Sequence, residues 1–167
     1  MINVREMGTI ETVKIDFPDG ANVILGYSHF IKTIEDLEEI IRTVRPDAIY
    51  AIGFSEASGD RLVRYEGNDS SLIDIAIKNI NRIGAGHTFI IILKNVFPIA
   101  ILNQIKQCQE VGRIFAATAN PLDVIVYREG DRAGVLGVLD GFSPVGTEND
   151  ADREKRKELL RRIGYKK

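Results

Sequence analysis

One polar segment of the sequence gathers side chains that could bind and activate a phosphate group. Residues 54–64 follow a short apolar stretch and include Glu56, Arg61 and Arg64. Arginine can bind two phosphate oxygens at once, and glutamate can accept a hydroxyl proton or hold a metal ion. Because α/β proteins place ligands at the C-terminal ends of strands, this segment is a candidate phosphate site. A solvated loop with a surface ion pair explains the same composition equally well.

A glycine-containing turn is the second candidate. Gly84 and Gly86 stand between a predicted helix and an apolar strand, which begins at His87. Small residues in such a turn allow backbone N–H groups to face an anion, and histidine can bind phosphate or relay a proton near neutral pH. A helix C-cap and a hydrogen-bonded structural histidine are the simpler interpretations. The standard Walker A and dinucleotide-binding patterns are absent.

Further polar positions lie where elements begin or end. Thr118 and Asn120 follow an alanine-rich strand whose small residues leave room for a flat purine, although tight packing against a helix is the alternative. Asp140 precedes a flexible loop, where a carboxylate could act as a base or a Mg²⁺ ligand, or be a simple turn residue. Lys32 and His29, beside a predicted helix start, are open to either a structural or a binding role.

Composition narrows the class of protein. The 167 residues carry 22 basic and 24 acidic side chains, so no global positive field favours nucleic acid or anionic lipid. One cysteine, Cys108, excludes an intrachain disulfide, and with two histidines it cannot supply the usual cysteine-rich structural zinc sites. We therefore expect a protein of the reducing cytoplasm. The most apolar run, residues 89–93, is far shorter than the roughly 20 residues that a membrane-spanning helix requires.

Hydrophobic periodicity predicts alternating strands and helices. The predicted strands are residues 9–16, 21–27, 48–54, 87–94, 112–119, 122–128 and 132–140. The first two strands are expected to form a hairpin. Thr33 is the expected N-cap of the first helix, Asp69 or Ser70 that of the second, and a third helix begins at Pro98. Residues 55–70 and 141–148 are expected to be long loops, which are the regions where function concentrates.

The C-terminal segment and the overall pattern complete the expected fold. Residues from Glu148 onward are highly charged, and we expect them to form a helix that packs through Leu159, Leu160 and Ile163. The element order predicts an α/β fold: a single compact domain over residues 1–167, with a mixed β-sheet layered with about four helices.

Several blocks of the sequence, taken in order, resemble the adenosine-specific kinase family of archaea and thermophilic bacteria. The blocks that carry the resemblance are residues 26–37 (GYSHFIKTIEDL), 54–64 (FSEASGDRLVR), 67–69, 82–87 (RIGAGH), 95–106, 117–121 (ATANP), 134–146 and 159–165. They cover nearly the whole chain. The resemblance implies a homo-oligomer, expected to be a trimer, that binds adenosine or AMP in pockets near subunit contacts.

The resemblance also implies a reaction, the transfer of the γ-phosphoryl group of ATP to the 5′-hydroxyl of adenosine, usually with Mg²⁺. For that reaction we expect phosphate contacts from side chains and from backbone donors. The expected side chains are Lys32, Arg61 and Arg64, with His87 as a secondary contact. The expected backbone donors are Gly84 and Gly86.

The remaining candidates concern the nucleoside and the proton. We expect Thr118 and Asn120 to contact the nucleoside. Either Glu56 or Asp140 is the expected base, and the other carboxylate is available to Mg²⁺. These assignments require the polar residues to converge in one cavity, within a chain or between copies. The rival hypotheses are a non-catalytic adenosine or AMP sensor and an unrelated structural trimer.

Overall fold

The computed structural model describes residues 8–167, in which strands and helices alternate. The strands are β1 (Thr9–Lys14), β2 (Asn22–Ser28), β3 (Ile49–Ser55), β4 (Val63–Gly67), β5 (Thr88–Lys94), β6 (Val111–Thr118), β7 (Leu122–Glu129) and β8 (Arg132–Asp140). The helices are α1 (Thr33–Val44), α2 (Ser70–Ile83), α3 (Leu102–Gln107) and α4 (Asp150–Arg162), and a 3-10 turn at Pro98–Ala100 precedes α3. The predicted domain also included residues 1–7, which lie outside this description.

The strands form two antiparallel sheets. The larger sheet has the order β4-β3-β5-β2-β6, and the smaller has the order β1-β7-β8. Every β5 side chain from Thr88 to Leu93 is buried, as expected for the central strand of a covered sheet. The α/β class with four helices is therefore confirmed, and the strands of this single compact structure divide between two sheets.

Alternating side chains on β5 pack into two separate cores. Ile90 and Ile92 face a core shared with α2 and the smaller sheet. Phe89 and Ile91 face the other core, which includes residues of α1 and α3. Because side chains of a strand alternate in direction, this isoleucine-rich run supplies both cores at once.

The predicted N-terminal hairpin is wrong. β1 pairs with β7 in the smaller sheet, whereas β2 pairs with β5 and β6 in the larger sheet. Burial gives the physical reason: six of the seven β2 residues are buried, which suits a strand with neighbours on both sides, whereas all of β1 except Val13 is exposed, which suits an edge. The segment predicted as a loop over residues 55–70 also contains β4.

The predicted helix ends agree in part with those in the structure. Asp69 caps α2 by accepting a hydrogen bond from the Leu72 N–H, and Gly84 ends the helix in the left-handed conformation, as expected. Thr33 is the first residue of α1 and Lys32 is its N-cap; the Thr33 hydroxyl contacts the Ser28 hydroxyl and the Phe30 carbonyl instead of capping the helix. No helix within residues 8–167 is long and apolar enough to cross a membrane.

The C-terminal helix α4 does not pack as expected. None of its residues is buried, and Leu159 and Ile163 are 44% and 49% exposed. Asn149 and Asp152 form a reciprocal capping box at its start. The helix is therefore defined by its own capping and charge order, with little contribution from the protein core.

Candidate functional site

A cavity of about 650 Å³ opens where β3 ends and β5 begins. It contains half of the ten residues that the sequence proposed for the site, and we call it the polar cavity. The predicted residues that line it are Glu56, Arg61, Gly84, Gly86 and His87. Tyr27, Asp60, Asn81, Asp131 and Arg132 also line it and were not among the candidates.

Strand pairing brings the two predicted motifs together. β3 and β5 are antiparallel, so the end of β3 lies beside the start of β5. The N–H of His87 donates to the carbonyl of Ser55 at 2.7 Å, and thus the glycine turn and the Glu56 segment are hydrogen-bonded neighbours. The candidates at residues 54–64 and 84–87 therefore form one site, although about 30 residues separate them in the sequence.

Glu56 is held in place as an anion. Its carboxylate accepts a hydrogen bond from the Leu62 N–H at 3.1 Å and another from the Arg64 guanidinium at 3.1 Å. The Leu62 N–H, and then Arg64, lower the pKa of Glu56 despite its partial burial. A carboxylate with a lowered pKa is a weaker base but a ready metal or hydrogen-bond acceptor.

Backbone strain is concentrated at this cavity. Three non-glycine residues among positions 8–167 have positive φ, and two of them, Arg61 and His87, line the polar cavity. The His87 ring lies between Tyr27 and Phe54, with ring centroids 5.9 and 6.2 Å away. Such conformations cost on the order of 1–3 kcal/mol and cluster at functional sites. Strain therefore supports the polar cavity as the functional site.

The turn between β7 and β8 also lines the polar cavity. Asp131 in this turn pairs with Arg61 at 3.1 Å, and both side chains are well exposed. Exposed ion pairs of this kind contribute little to stability and are readily exchanged. The Arg61 guanidinium is therefore available to a competing anion such as a phosphate.

One arginine ties β7 to the glycine turn. Arg128, on β7, donates to the carbonyls of Ile83 at 3.1 Å and Arg82 at 2.8 Å, and its Nε pairs with Glu11 at 2.7 Å. The last carbonyls of a helix have no intrahelical partner, so this guanidinium satisfies two of them at the end of α2. Arg128 thereby fixes the smaller sheet against the turn that contains Gly84.

Arg64 and Lys32 line a neighbouring groove of about 760 Å³. Arg64 connects the two sites because its guanidinium bonds Glu56. The Lys32 ammonium instead pairs with Asp36 at 2.6 Å, and this hydrogen bond raises the pKa of Lys32. In this arrangement Arg64 supports the polar cavity, whereas Lys32 is outside it.

Thr118, Asn120 and Asp140 form a separate cluster. The Thr118 hydroxyl donates to Asp140 Oδ1 at 2.6 Å and accepts the Asn120 N–H at 2.9 Å. Thr118 also lines a third cavity, of about 510 Å³, together with Phe97 and two alanines that flank it. We call this third cavity the aromatic cavity. Its small-residue wall agrees with the space for a flat ring that the sequence suggested.

Within one chain the predicted residues do not converge in a single cavity. Thr118 pairs with Val23 near the start of β2, whereas the polar cavity includes Tyr27 near its end. At a rise of about 3.3 Å per residue, these β2 positions are about 13 Å apart. β6 runs antiparallel to β2. The C-terminal end of β6, with Thr118, therefore lies beside the start of β2, at the opposite end of the strands from Glu56.

The residues that sequence reasoning missed lie mostly at turns. Gly130 and Asp131 form the two-residue connection between β7 and β8, and Arg132 is the first residue of β8. Gly130 has a φ of 60°, a value that a type II′ turn requires at this position. The sequence thus contained the turn signal, but it did not indicate that this turn faces the polar cavity.

The polar cavity has donors that suit Mg²⁺. Glu56, Asp60 and Asp131 line it, and oxygen ligands of this kind are those that Mg²⁺ prefers. Magnesium at phosphoryl-transfer sites is typically held by one or two carboxylates together with substrate phosphates. The three carboxylates do not all lie within 4.8 Å of one another, so a nucleotide-bound Mg²⁺ would be held by one of them together with the phosphates.

The comparison with protein families identifies the family of the chain. The family model described as adenosine specific kinase matches residues 13–166. The chain belongs to the adenosine-specific kinase family. The structure of this adenosine-specific kinase family member is similar to the crystal structure of the PH1918 protein from Pyrococcus horikoshii OT3. The TM-score is 0.92, and the two sequences are 41% identical. The similarity covers 96% of this chain and 99% of that chain. No curated protein matches the sequence.

Proposed function

We propose that the protein transfers the γ-phosphoryl group of ATP to the 5′-hydroxyl of adenosine, giving AMP and ADP in the cytoplasm. Membership of the adenosine-specific kinase family supports kinase chemistry on adenosine. The observation that carries the proposal is the polar cavity, which an anionic Glu56, the glycines of the Gly84–Gly86 turn and Arg61 all line. Phosphoryl transfer requires this combination of positioning and charge stabilisation.

The residues of the polar cavity have distinct roles in this proposal. Arg61 leaves Asp131 to bind the transferring phosphate, the backbone N–H groups of Gly84 and Gly86 add neutral donors, and His87 is a further phosphate contact. Glu56 orients the attacking hydroxyl and accepts its proton, or holds Mg²⁺. When bound, Mg²⁺ would neutralise charge on the phosphates. Arg64 keeps Glu56 in position, and Lys32 binds a phosphate only by leaving Asp36.

The cluster of Thr118, Asn120 and Asp140 lies too far from Glu56 of the same chain to act at the same reaction. It can do so only if another copy of the chain brings it to the polar cavity. Thr118 and Asn120 are proposed to bind the nucleoside and Asp140 to assist the hydroxyl, at the opposite end of the sheet from Glu56. In a cyclic trimer each contact is heterologous, so one end of a subunit meets a different surface of its neighbour. An exposed apolar side chain lies at each end: Leu62, 50% exposed, lines the polar cavity, and Phe97, 62% exposed, lines the aromatic cavity. Such residues are available for the contacts between copies that the proposed trimer with shared sites requires.

The central test is the turnover of Glu56→Gln. The substitution keeps an acceptor for the Leu62 N–H but removes the charge, and we expect kcat for AMP formation to fall at least about a hundredfold. The matched control is Glu66→Gln on β4, which lies outside the polar cavity and should keep wild-type kcat. ADP release under saturating ATP, adenosine and Mg²⁺ is the measurement. Equal rates for the two variants would remove Glu56 from the reaction.

A mixing experiment tests the shared site. Glu56→Gln and Asp140→Asn are each expected to be nearly inactive as pure proteins. If each site combines Glu56 of one chain with Asp140 of another, subunit exchange in an equal mixture restores up to about a quarter of wild-type activity. No recovery, in a mixture shown by mass spectrometry to contain hetero-oligomers, would mean that the two carboxylates do not act across a subunit contact.

A nucleotide sensor is the second candidate function. The lowered pKa of Glu56 favours it, because a weak base suits binding better than proton abstraction. Calorimetry distinguishes the two functions: AMP binding without ADP release under saturating ATP, adenosine and Mg²⁺ supports a sensor. Stoichiometric formation of ADP and AMP supports the kinase.

A further inference from the structure

A second group of potential ligands lies between α1 and the start of β6, away from the polar cavity. Asp36 on α1, Cys108 directly after α3 and Glu110 directly before β6 bring their ligand atoms within 4.8 Å of one another. We call these three residues the Cys108 cluster. None of them lines the polar cavity, and their one link to the proposed phosphoryl transfer is the ion pair between Asp36 and Lys32.

Glu110 is the residue that makes this cluster unusual. Its side chain is 2% exposed, and neither carboxylate oxygen has a hydrogen-bond partner within residues 8–167. Burying a carboxylate without a partner is costly, so native proteins pair such groups or coordinate a metal with them. Its polar neighbours include the Asp36 carboxyl group and the Cys108 thiol, which can offer it only a shared proton. The cluster therefore lacks a positive partner.

Lys32 does not supply the missing positive partner of Glu110. Its ammonium bonds Asp36 at 2.6 Å but leaves both Glu110 oxygens without a partner. The Lys32 side chain is 44% exposed, so water competes for it. In the metal-bound form, two carboxylates and a thiolate together carry three negative charges, and the Lys32 ammonium neutralises one of them. A divalent cation would bring the formal charge of the group to zero.

The Cys108 cluster is also accessible from solvent. Asp36 and Cys108 line a groove of about 540 Å³ between α1 and α3. Glu110 is buried, so the group has two ligands at the surface and one inside. An ion could enter through the groove and leave one coordination position facing water. Sulfur and carboxylate oxygen are ligands that Zn²⁺ accepts, whereas Mg²⁺ prefers oxygen alone.

We propose that Asp36, Cys108 and Glu110 bind a divalent cation of the zinc class, with water in the fourth position. The site ties α1 to the connection between α3 and β6. Binding breaks the S–H bond, forms a metal–sulfur bond and releases one proton to solvent.

Thiol reactivity tests the proposal directly, because Cys108 is the single cysteine in the sequence. The metal-stripped protein is treated with a thiol-alkylating reagent, with and without one equivalent of Zn²⁺. We expect Zn²⁺ to slow alkylation at least about tenfold and Mg²⁺ to have no effect. Glu110→Gln and Asp36→Asn should lose this protection. Glu35→Gln, on the same helix turn but outside the cluster, should retain it.

A second measurement uses the unmodified sequence and needs no variant. Co²⁺ added to the stripped wild-type protein should produce a sulfur-to-metal charge-transfer absorption, with release of about one proton per ion. Absence of this absorption, together with unchanged alkylation in Zn²⁺, would overturn the proposal. Protection that persists in both Glu110→Gln and Asp36→Asn would also overturn it, because the ion would then be bound elsewhere. None of these readouts depends on kinase activity, so they succeed or fail independently of the proposed function.

Discussion

Gly86 provides a quantitative link between packing and activity. A Cβ atom added there would lie 2.8 Å from the Cβ of Ala57 and 3.3 Å from its Cα. Two non-bonded carbon atoms are most stable about 3.5–4.0 Å apart, so Gly86→Ala must separate the two segments by about 1 Å. Ala57 directly follows Glu56, and the displacement therefore reaches the carboxylate.

The magnitude of the effect follows from that displacement. A misplacement of about 1 Å in a positioned group costs about a hundredfold in rate, which corresponds to about 2.7 kcal/mol in the activation free energy. Ala57 is exposed, so its segment can move without disturbing the core. We therefore expect kcat of Gly86→Ala to fall about a hundredfold while its melting temperature stays close to that of the wild type.

A double variant makes this reasoning refutable. Ala57→Gly removes the atom that the new methyl group meets at 2.8 Å, so Gly86→Ala combined with Ala57→Gly should recover most of the lost activity. Gly134→Ala on β8 is the control, since no atom lies within 4 Å of its added Cβ. The assay is ADP release, with thermal unfolding measured in parallel. Wild-type kcat in Gly86→Ala, or no recovery in the double variant, would refute the argument.

Two further predictions concern the fold. The buried Asn79 side chain donates a hydrogen bond to the Asp16 carbonyl at 2.6 Å and accepts one from the Asp16 N–H at 2.9 Å. Asn79→Ala should lower the free energy of unfolding by about 2–4 kcal/mol, because both backbone groups of Asp16 lose their partner. Denaturant unfolding measures this, and a loss below about 0.5 kcal/mol would contradict it. Hydrogen bonds from the Ser71 hydroxyl and the Leu72 N–H lower the pKa of Asp69 to about 2. Its contribution to stability is therefore full above its ordinary value of 3.8 and is lost as the pH falls toward 2. Asp69→Asn should weaken this pH dependence of the denaturation midpoint, and an unchanged profile would assign it to other groups.

Local signals explain the parts of the fold that could be predicted. Asp69 and Gly84 mark the two ends of α2 through capping interactions within a few residues, and the isoleucine run marks β5 through burial alone. Pairing of strands is different, because it depends on partners far along the chain. β1 pairs with β7, more than a hundred residues away, and nothing in the sequence of β1 specifies that partner.

The candidate site likewise has a part that the sequence could predict and a part that depends on contacts far along the chain. Glu56, Gly86 and His87 meet because β3 and β5 are neighbours, a pairing consistent with two buried strands in sequence order. Asp140 was grouped with them on chemistry alone, although its carboxylate bonds Thr118 at the other end of the sheet. Asp131 was missed because a charged turn has the same local pattern whether or not it faces a cavity.

The Arg128 guanidinium also determines which part of the polar cavity wall can be redesigned. Its bonds to the end of α2 anchor β7 upstream of the hairpin tip, so changes at Gly130 and beyond need not loosen that anchor. A Cβ at Gly130 would meet no atom within 4 Å, which leaves space for inserted residues once the turn geometry is respected. Lengthening this tip is thus a route to altered ligand selectivity in which the glycine turn keeps its shape.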